Sequence, residues 1–249
     1  MKKLVTLSFV FILCVLYVLI PKASIADDEI FEKMLLKGYK KQQNGNLKTA
    51  EKMYTEALLL NATSSELYFR RGRTRYELGK FEEALSDFQK AIDFNPSYSE
   101  AYNHRGIAYL DAGDTIHAIQ DHTKAIELNP HYADAYYQRA FVNMHLKNYK
   151  EAIKDYTLAI ELNPGNGYMY LNRGYTHYLN NNFEKALHDT HIAASIMQEN
   201  PYVFKIKALT EIAMKNNQAA CESISEALDL GYTEAYGDDL EKLAKKNCR

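Results

Sequence analysis

At an unbroken spacing of 34 residues, the chain places a glycine or alanine at the same three positions of a repeat, six times in succession. The first set is Gly38, Gly72, Gly106, Ala140, Gly174 and Ala208. The second is Ala50, Ala84, Ala118, Ala152, Ala186 and Ala220, and the third is Ala57, Ala91, Ala125, Ala159, Ala193 and Ala227. Side-chain size at a contact sets how closely two helices approach. Small residues at one register therefore mean that two helices come together at the same point of every repeat. A fixed period of this size marks a stacked array, in which each unit buries its apolar face against its neighbours.

The residues of one unit give its local structure. Ala101, Tyr102, Arg105, Ala108, Tyr109 and Ala112 follow the i, i+3, i+4, i+7 spacing of an amphipathic helix. Gly113-Asp114 interrupts it, and a second helix carries Ala118, Ile119, His122, Ala125, Ile126 and Leu128 on one face. Asn129-Pro130 ends that helix, because proline cannot continue the hydrogen-bond ladder and biases its predecessor away from helix. Glu66, Glu100 and Asp134 open three of the first helices, where the positive end of the dipole favours them. No segment alternates with period two for long enough to form a strand. The expected class is all-α.

These motifs carry a family resemblance. One unit reads Tyr68, Gly72, Ala84, Phe88, Ala91, Pro96, the next Tyr102, Gly106, Ala118, His122, Ala125, Pro130, and the third Tyr136, Ala140, Ala152, Tyr156, Ala159, Pro164. A fourth holds Tyr170, Gly174, Ala186 and Ala193 without the closing proline. The chain thus resembles the tetratricopeptide repeat family. The resemblance implies a right-handed α-solenoid of about six helix-turn-helix units. They run over 31–64, 65–98, 99–132, 133–166, 167–200 and 201–234, the first and last degenerate, with a short lead at 27–30 and a capping helix at 235–249.

The chain departs from the family where a leucine usually precedes the small residue. It has Lys37, Arg71, Arg105, Arg139, Arg173 and Lys207 there. A ladder of cations can form an anion or nucleic-acid groove. Yet the four arginine units alone carry an aspartate sixteen residues later, at Asp87, Asp121, Asp155 and Asp189, whereas the lysine units have Met53 and Ser223. Arginine and aspartate that come and go together are expected to pair across the two helices of one unit, and the planar guanidinium suits a bidentate contact.

Composition bounds the partners. Of 249 residues, 47% are hydrophobic and 25% charged, the balance of a folded protein. The net charge is −2, and the first 26 residues hold Lys2, Lys3 and Lys22 without an acid, so the remainder is about −5. No concentrated basic face stands ready for nucleic acid. Met1-Lys2-Lys3, the uncharged run Leu4 to Ile20 and the small residues of Ser24-Ile25-Ala26 read as a signal peptide over 1–26. Export, to the periplasm in a bacterial setting, is the expectation, with an uncleaved membrane anchor as the other reading. Cys14 suggests a lipoprotein, but Leu13 stands where a small residue is needed. In an oxidising compartment the two remaining cysteines, Cys221 and Cys248, are expected to form a disulfide, because a final helix over Thr233 to Asn247 would turn back along its predecessor. Two unpaired thiols are the alternative.

Enzyme chemistry finds little support. None of the eight histidines joins a second histidine and a carboxylate in a zinc-site motif. His188 and His191 are three apart, but His191 falls among the apolar positions of its helix and His188 on the outer side. No phosphate-cradling glycine loop or nucleophile elbow occurs. Asn61-Ala62-Thr63 matches a glycosylation acceptor, which matters only in a eukaryotic secretory route. No metal, cofactor or catalytic residue is expected.

What remains is a surface. The family's first helices line a concave groove for a peptide or partner helix. By that resemblance the groove-facing residues are Tyr39, Phe69, Arg70, Arg73, Asn103, His104 and Ile107, then Tyr137, Gln138, Phe141, Leu171, Asn172 and Tyr175. Aromatic anchors among arginine, histidine and amides suit recognition of a protein or peptide. Family members that clamp a terminal carboxylate use lysine where this chain has Glu66 or Glu100, so that activity is not carried over. The implied role is a non-enzymatic adaptor or scaffold of the cell envelope. A periplasmic holder of exported chains, or an accessory subunit of an envelope enzyme or secretion complex, is the alternative.

Overall fold

The computed structural model describes residues 25–248, so the signal-peptide reading lies outside the described residues as far as residue 24. Among the described residues there are fourteen helices and no strand. Twelve of them form six consecutive antiparallel pairs. These are α1 (Ile25–Gln43) with α2 (Leu47–Leu60), α3 (Ser65–Glu77) with α4 (Phe81–Phe94), α5 (Ser99–Asp111) with α6 (Thr115–Leu128), α7 (Ala133–His145) with α8 (Tyr149–Leu162), α9 (Gly167–Leu179) with α10 (Phe183–Ile196), and α11 (Pro201–Ala213) with α12 (Asn217–Asp229). Two short helices follow, α13 (Tyr232–Tyr236) and α14 (Asp239–Asn247). The chain divides into two compact units between Pro96 and Ser97, the first holding α1 to α4 and the second α5 to α14. No described helix is long and apolar enough to cross a membrane. Helix α1 starts at Ile25 and takes in residues 27–30, which the sequence set apart as a lead.

The small residues do what their register implies. Ala50, Ala57, Ala84, Ala91, Ala118, Ala125, Ala152 and Ala159 have no exposed surface. At Gly72 a Cβ would lie 2.9 Å from the Phe88 ring, and at Gly106 it would lie 2.8 Å from the His122 ring. In these two pairs the first helix thus presses its backbone onto a ring of the second, as close as glycine allows. The turn between the two helices is as regular. Gly45, Gly79, Gly113, Lys147, Asn181 and Lys215, each 34 residues from the next, all have φ between 59° and 81°. Glycine adopts that left-handed conformation freely, and the two lysines and the asparagine hold it because the flanking helices are fixed by packing. Asn61, Asn95, Asn129 and Asn163 cap the second helices by donating their backbone N–H to an alanine carbonyl of the last turn.

A guanidinium fork joins the helices of four pairs. Arg71 donates from Nε and Nη2 to Asp87 at 2.9 and 2.7 Å, and Arg105 does so to Asp121 at 2.7 Å from both. Arg139 grips Asp155 and Arg173 grips Asp189 in the same way. The third nitrogen reaches back to the preceding repeat. Arg71 Nη1 donates to Thr55, Arg139 Nη1 to Thr123 and Arg173 Nη1 to Thr157, each at 3.2 Å. Above each fork lies the tyrosine three residues earlier, Tyr68, Tyr102, Tyr136 or Tyr170, with the guanidinium carbon 5.4–5.9 Å from the ring centre. Burial works to lower the Arg105 pKa, and the hydrogen bonds and charge of Asp121 more than offset it, leaving the group raised. The cations are therefore committed to the frame.

The carboxyl end differs from its expected form. The stretch Thr233 to Asn247 is broken at Gly237, whose φ of 94° with ψ of −176° is open to glycine and closed to residues with a Cβ. The capping helix is α14 alone rather than 235–249. Leu240 is fully buried with Ala208, Ile224, Ala227 and Tyr232, and Leu243 and Ala244 pack beside them. Lys205 donates to Asp239 at 2.7 Å and to Tyr232 Oη at 2.6 Å, which holds α13 and α14 to α11. Cys221 in α12 and Cys248 just past α14 are joined by a disulfide, with Cα atoms 5.6 Å apart.

Two outcomes follow for stability. Replacing Asp121 alone by alanine leaves the Arg105 guanidinium buried without its carboxylate and is expected to cost about 3 kcal/mol or more in denaturant unfolding. Arg105→Met with Asp121→Leu is expected to cost less than the Asp121 change alone, and a cost equal to the sum of the two single changes would mean that the two residues act independently. Cys248→Ser opens a loop of 27 residues and is expected to lose about 3 kcal/mol, with neither thiol alkylated in the unreduced, denatured parent. Alkylation at both cysteines of that parent would remove the bridge.

Candidate functional site: the face of the first helices

In the second unit the first helices of successive repeats lie side by side, α5 against α7, α7 against α9 and α9 against α11. Because the repeats share one register, a position on α5 recurs on each of the others and forms a row across them. One such row is Ile107, Phe141, Tyr175 and Leu209, all half-buried. A turn further on come Leu110, Tyr178 and Ile212, half-buried, and Met144, buried. The rings of Tyr175 and Tyr178 stack at 6.2 Å, and Phe141 meets His145 edge-on at 4.5 Å. The result is an apolar stripe one side chain wide per repeat, with aromatic residues at its middle. Of these residues the sequence named Ile107, Phe141 and Tyr175. It missed Leu209, although the same spacing leads directly to it, and it missed Leu110, Tyr178 and Ile212 one turn away.

Polar side chains border the stripe. Gln138 and His104 are half-buried. Asn172 donates from Nδ2 to Tyr137 Oη at 2.7 Å, a bond between α9 and α7, and the Tyr137 ring rests on Tyr156 at 5.7 Å. Burial raises the Tyr137 pKa, an effect that the Asn172 hydrogen bond partly counters, so the hydroxyl stays protonated at neutral pH. Tyr137 and Asn172 are thus half-committed to each other.

Three expected contact residues are not at the surface. Phe69 is 7% exposed, packs on Phe88 at 6.2 Å and lies under the Arg73 guanidinium. Leu171 is 3% exposed and sits in the core with Ala193, Val203 and Ile206. Asn103, 2% exposed, accepts a hydrogen bond from His122 Nδ1 at 2.9 Å and donates to Tyr132 Oη at 3.3 Å. All three stand at the same position of their repeats, where the side chain turns under the helix. In these three repeats that position is filled by packing, whereas the larger Tyr137 reaches past it.

The first unit offers a smaller polar patch. The Arg70 guanidinium lies 5.0 Å from the Tyr39 ring centre and pairs with Glu66. Gln43 donates to Tyr39 Oη at 2.7 Å, and Gln42 donates to Glu77 at 3.1 Å. Tyr39, Gln42, Gln43, Arg70, Arg73 and Glu77 line a cleft of about 320 Å³.

Residues of α8, α9 and α10 form a second kind of cleft. Ile153, Thr157, Arg173, His177, Glu184, Lys185, His188 and Asp189 line one of about 440 Å³. His188 and His191 are both exposed, so His191 does not join the apolar positions of α10. It occupies the register that holds Thr123 and Thr157 in earlier repeats, and partial desolvation of the ring, followed by the charge of Lys207, lowers its pKa. No group of three or more His, Cys, Asp or Glu among the described residues is arranged to hold a metal ion.

One titrating group lies beneath the stripe. His122 fills the slot occupied by Phe88 and Tyr156 in neighbouring repeats and has no exposed surface. Burial, with the charge of Arg139, lowers its pKa from 6.5 to about 3. The native state keeps this imidazole neutral while the unfolded chain protonates it below about pH 6.5, so stability is full above that pH and falls towards pH 3. His122→Phe is expected to flatten the pH dependence, removing about 3 kcal/mol of the loss between pH 7 and pH 4 in urea titrations. His177 and His191, also lowered by burial, leave a smaller slope. An unchanged slope in the variant would mean that His122 titrates normally.

Comparison with known proteins agrees with the repeat geometry. Residues 72–113 match the family model described as TPR repeat, and 99–132 and 133–166 each match the tetratricopeptide repeat model. No curated protein matches the chain. Among solved structures, pilF of Pseudomonas aeruginosa is 16% identical, covers 89% of this chain and 98% of its own, and superposes with a TM-score of 0.77. YrrB, described as a TPR protein with an unusual peptide-binding site, is 21% identical over 78% of this chain and 97% of its own, with a TM-score of 0.64. MamA is 24% identical over 69% and 94%, with a TM-score of 0.58. At these identities the likeness is one of fold. Residues 72–166 thus match tetratricopeptide repeat models, and the paired helices and small-residue register carry the same repeat through the rest of the described chain.

Proposed function

We propose that the chain is a non-enzymatic adaptor, acting outside the cytoplasm, that holds a peptide or helix of a partner protein against the face of its first helices. The observation that carries this reading is the stripe Ile107, Phe141, Tyr175 and Leu209. It repeats once per helix pair, stays half-exposed, and lies on a frame whose arginines are already used internally. Aromatic side chains held rigidly by their neighbours make strong contacts at little entropic cost. The peptide-binding site named for YrrB supports the same use of the fold. For the compartment, support comes from the sequence of residues 1–26 and from the bridge between Cys221 and Cys248, a bond that persists in oxidising surroundings.

Affinity capture from envelope extract, with mass spectrometry, tests the proposal. The wild-type chain is expected to enrich one abundant partner. Phe141→Ala with Tyr175→Ala is expected to lose it, each change costing on the order of 1–4 kcal/mol of binding while thermal unfolding moves little. Equal enrichment by the variant would move the site away from the stripe. A broad set of unrelated chains would replace the adaptor by a holder of exported proteins.

A further inference from the structure

The charge on this face is lopsided. The helices α5, α7, α9 and α11 contain five lysines and arginines, and each is paired with a carboxylate of this chain. Arg105 holds Asp121, Arg139 holds Asp155, Arg173 holds Asp189, Lys205 holds Asp239, and Lys207 lies 3.9 Å from Glu211. Two acids in the first turns of these helices have no such counterpart. Glu100, which accepts only from the adjacent Ser99 hydroxyl, and Asp134 are exposed and make no ion pair among the described residues. Both stand seven residues before a stripe residue, Ile107 and Phe141 respectively. Seven residues are close to two helical turns, so each acid shares a face with the stripe, about 10 Å to one side.

We propose that the occupant of this face is a basic amphipathic segment of a partner protein, with apolar side chains for the stripe and lysine or arginine for Glu100 and Asp134. The proposal rests on the reading of the stripe as the binding surface. Neighbouring helix axes lie about 8–10 Å apart, so the partner's apolar residues recur at about that distance, the rise of two turns of helix or three extended residues. Cationic groups then fall along one edge. The free carboxylates also repel an acidic partner or a terminal carboxylate, which selects as much by rejection as by attraction.

Three synthetic peptides serve as probes in fluorescence anisotropy at physiological salt, against the full chain. The first sets leucines in heptads with lysines along one edge, the second replaces the lysines by glutamates, and the third replaces the leucines by serines. The lysine-leucine peptide is expected to bind about tenfold or more tightly than the other two. Glu100→Gln with Asp134→Asn is expected to weaken it about three- to tenfold and to leave the glutamate peptide no weaker. Glu127→Gln with Glu161→Gln, exposed on the second helices, is expected to change nothing. Equal affinity for the lysine and glutamate peptides, or equal loss from the two acid pairs, would overturn the charge assignment. In that case loss of both peptides on Phe141→Ala with Tyr175→Ala would leave the stripe reading standing. Binding that ignores the phenylalanine and tyrosine changes would overturn both.

Discussion

The guanidinium fork is the interaction on which the order of the repeats depends. Helix pairs that meet through alanine and glycine can slide, since small side chains give few distinct interlocks. The fork removes that freedom. In the second unit Arg139 is fixed at once to Asp155 of its own repeat, to Thr123 of the repeat before and to the face of Tyr136. Such a group has only one geometry that satisfies all three directions, and arginine's planar head supplies the rigidity. The cost of burying the charge is offset by two charge-assisted hydrogen bonds and a ring, and the pair defines register as much as it adds stability.

Fixing the register has a consequence for the surface. When every repeat repeats its neighbour within narrow limits, positions seven or thirty-four residues apart fall into rows, and a row of half-exposed apolar groups becomes a continuous stripe. The buried position four residues earlier shows the other half of that logic. Asn103 and Leu171 occupy it, each filling the seam in its own way. The same frame that seals the seam with a histidine–asparagine pair in one repeat and a leucine in another leaves Phe141 and Tyr175 supported from beneath. Binding then requires little ordering of the protein itself.

Most of this architecture was legible in the sequence because it is periodic. The small-residue register, the turn after each first helix and the linked occurrence of arginine and aspartate are all visible at a spacing of 34 residues. What periodicity does not show is depth. Phe69 and Phe141 occupy neighbouring columns of the same repeat pattern, four residues apart in register, and only packing tells that one supports Phe88 while the other faces outward. The left-handed turns at Lys147 and Lys215 were hidden for a related reason, since neither residue carries glycine's signal and the conformation is imposed by the helices around it. The break at Gly237 was missed because the residues on both sides of it suit a helix.

The last repeat shows how the array ends once the fork is no longer available. Lys207 takes the arginine's place and Ser223 the aspartate's, so the bidentate contact is gone. Glu211 partly substitutes, accepting from Ser223 at 2.7 Å and lying 3.9 Å from Lys207. A terminal repeat has a neighbour on one side only and gains correspondingly less from stacking. The chain adds other ties at this point. Leu240 closes the exposed seam, Lys205 clasps Asp239 and Tyr232, and the Cys221–Cys248 bond limits how far α14 can open. Each tie is of a different physical kind, apolar, ionic and covalent, so no single change of salt, pH or temperature releases all three. A covalent constraint limits fraying where the fork is missing, and it is at one of the two repeats without the fork that the sequence has spent its paired cysteines.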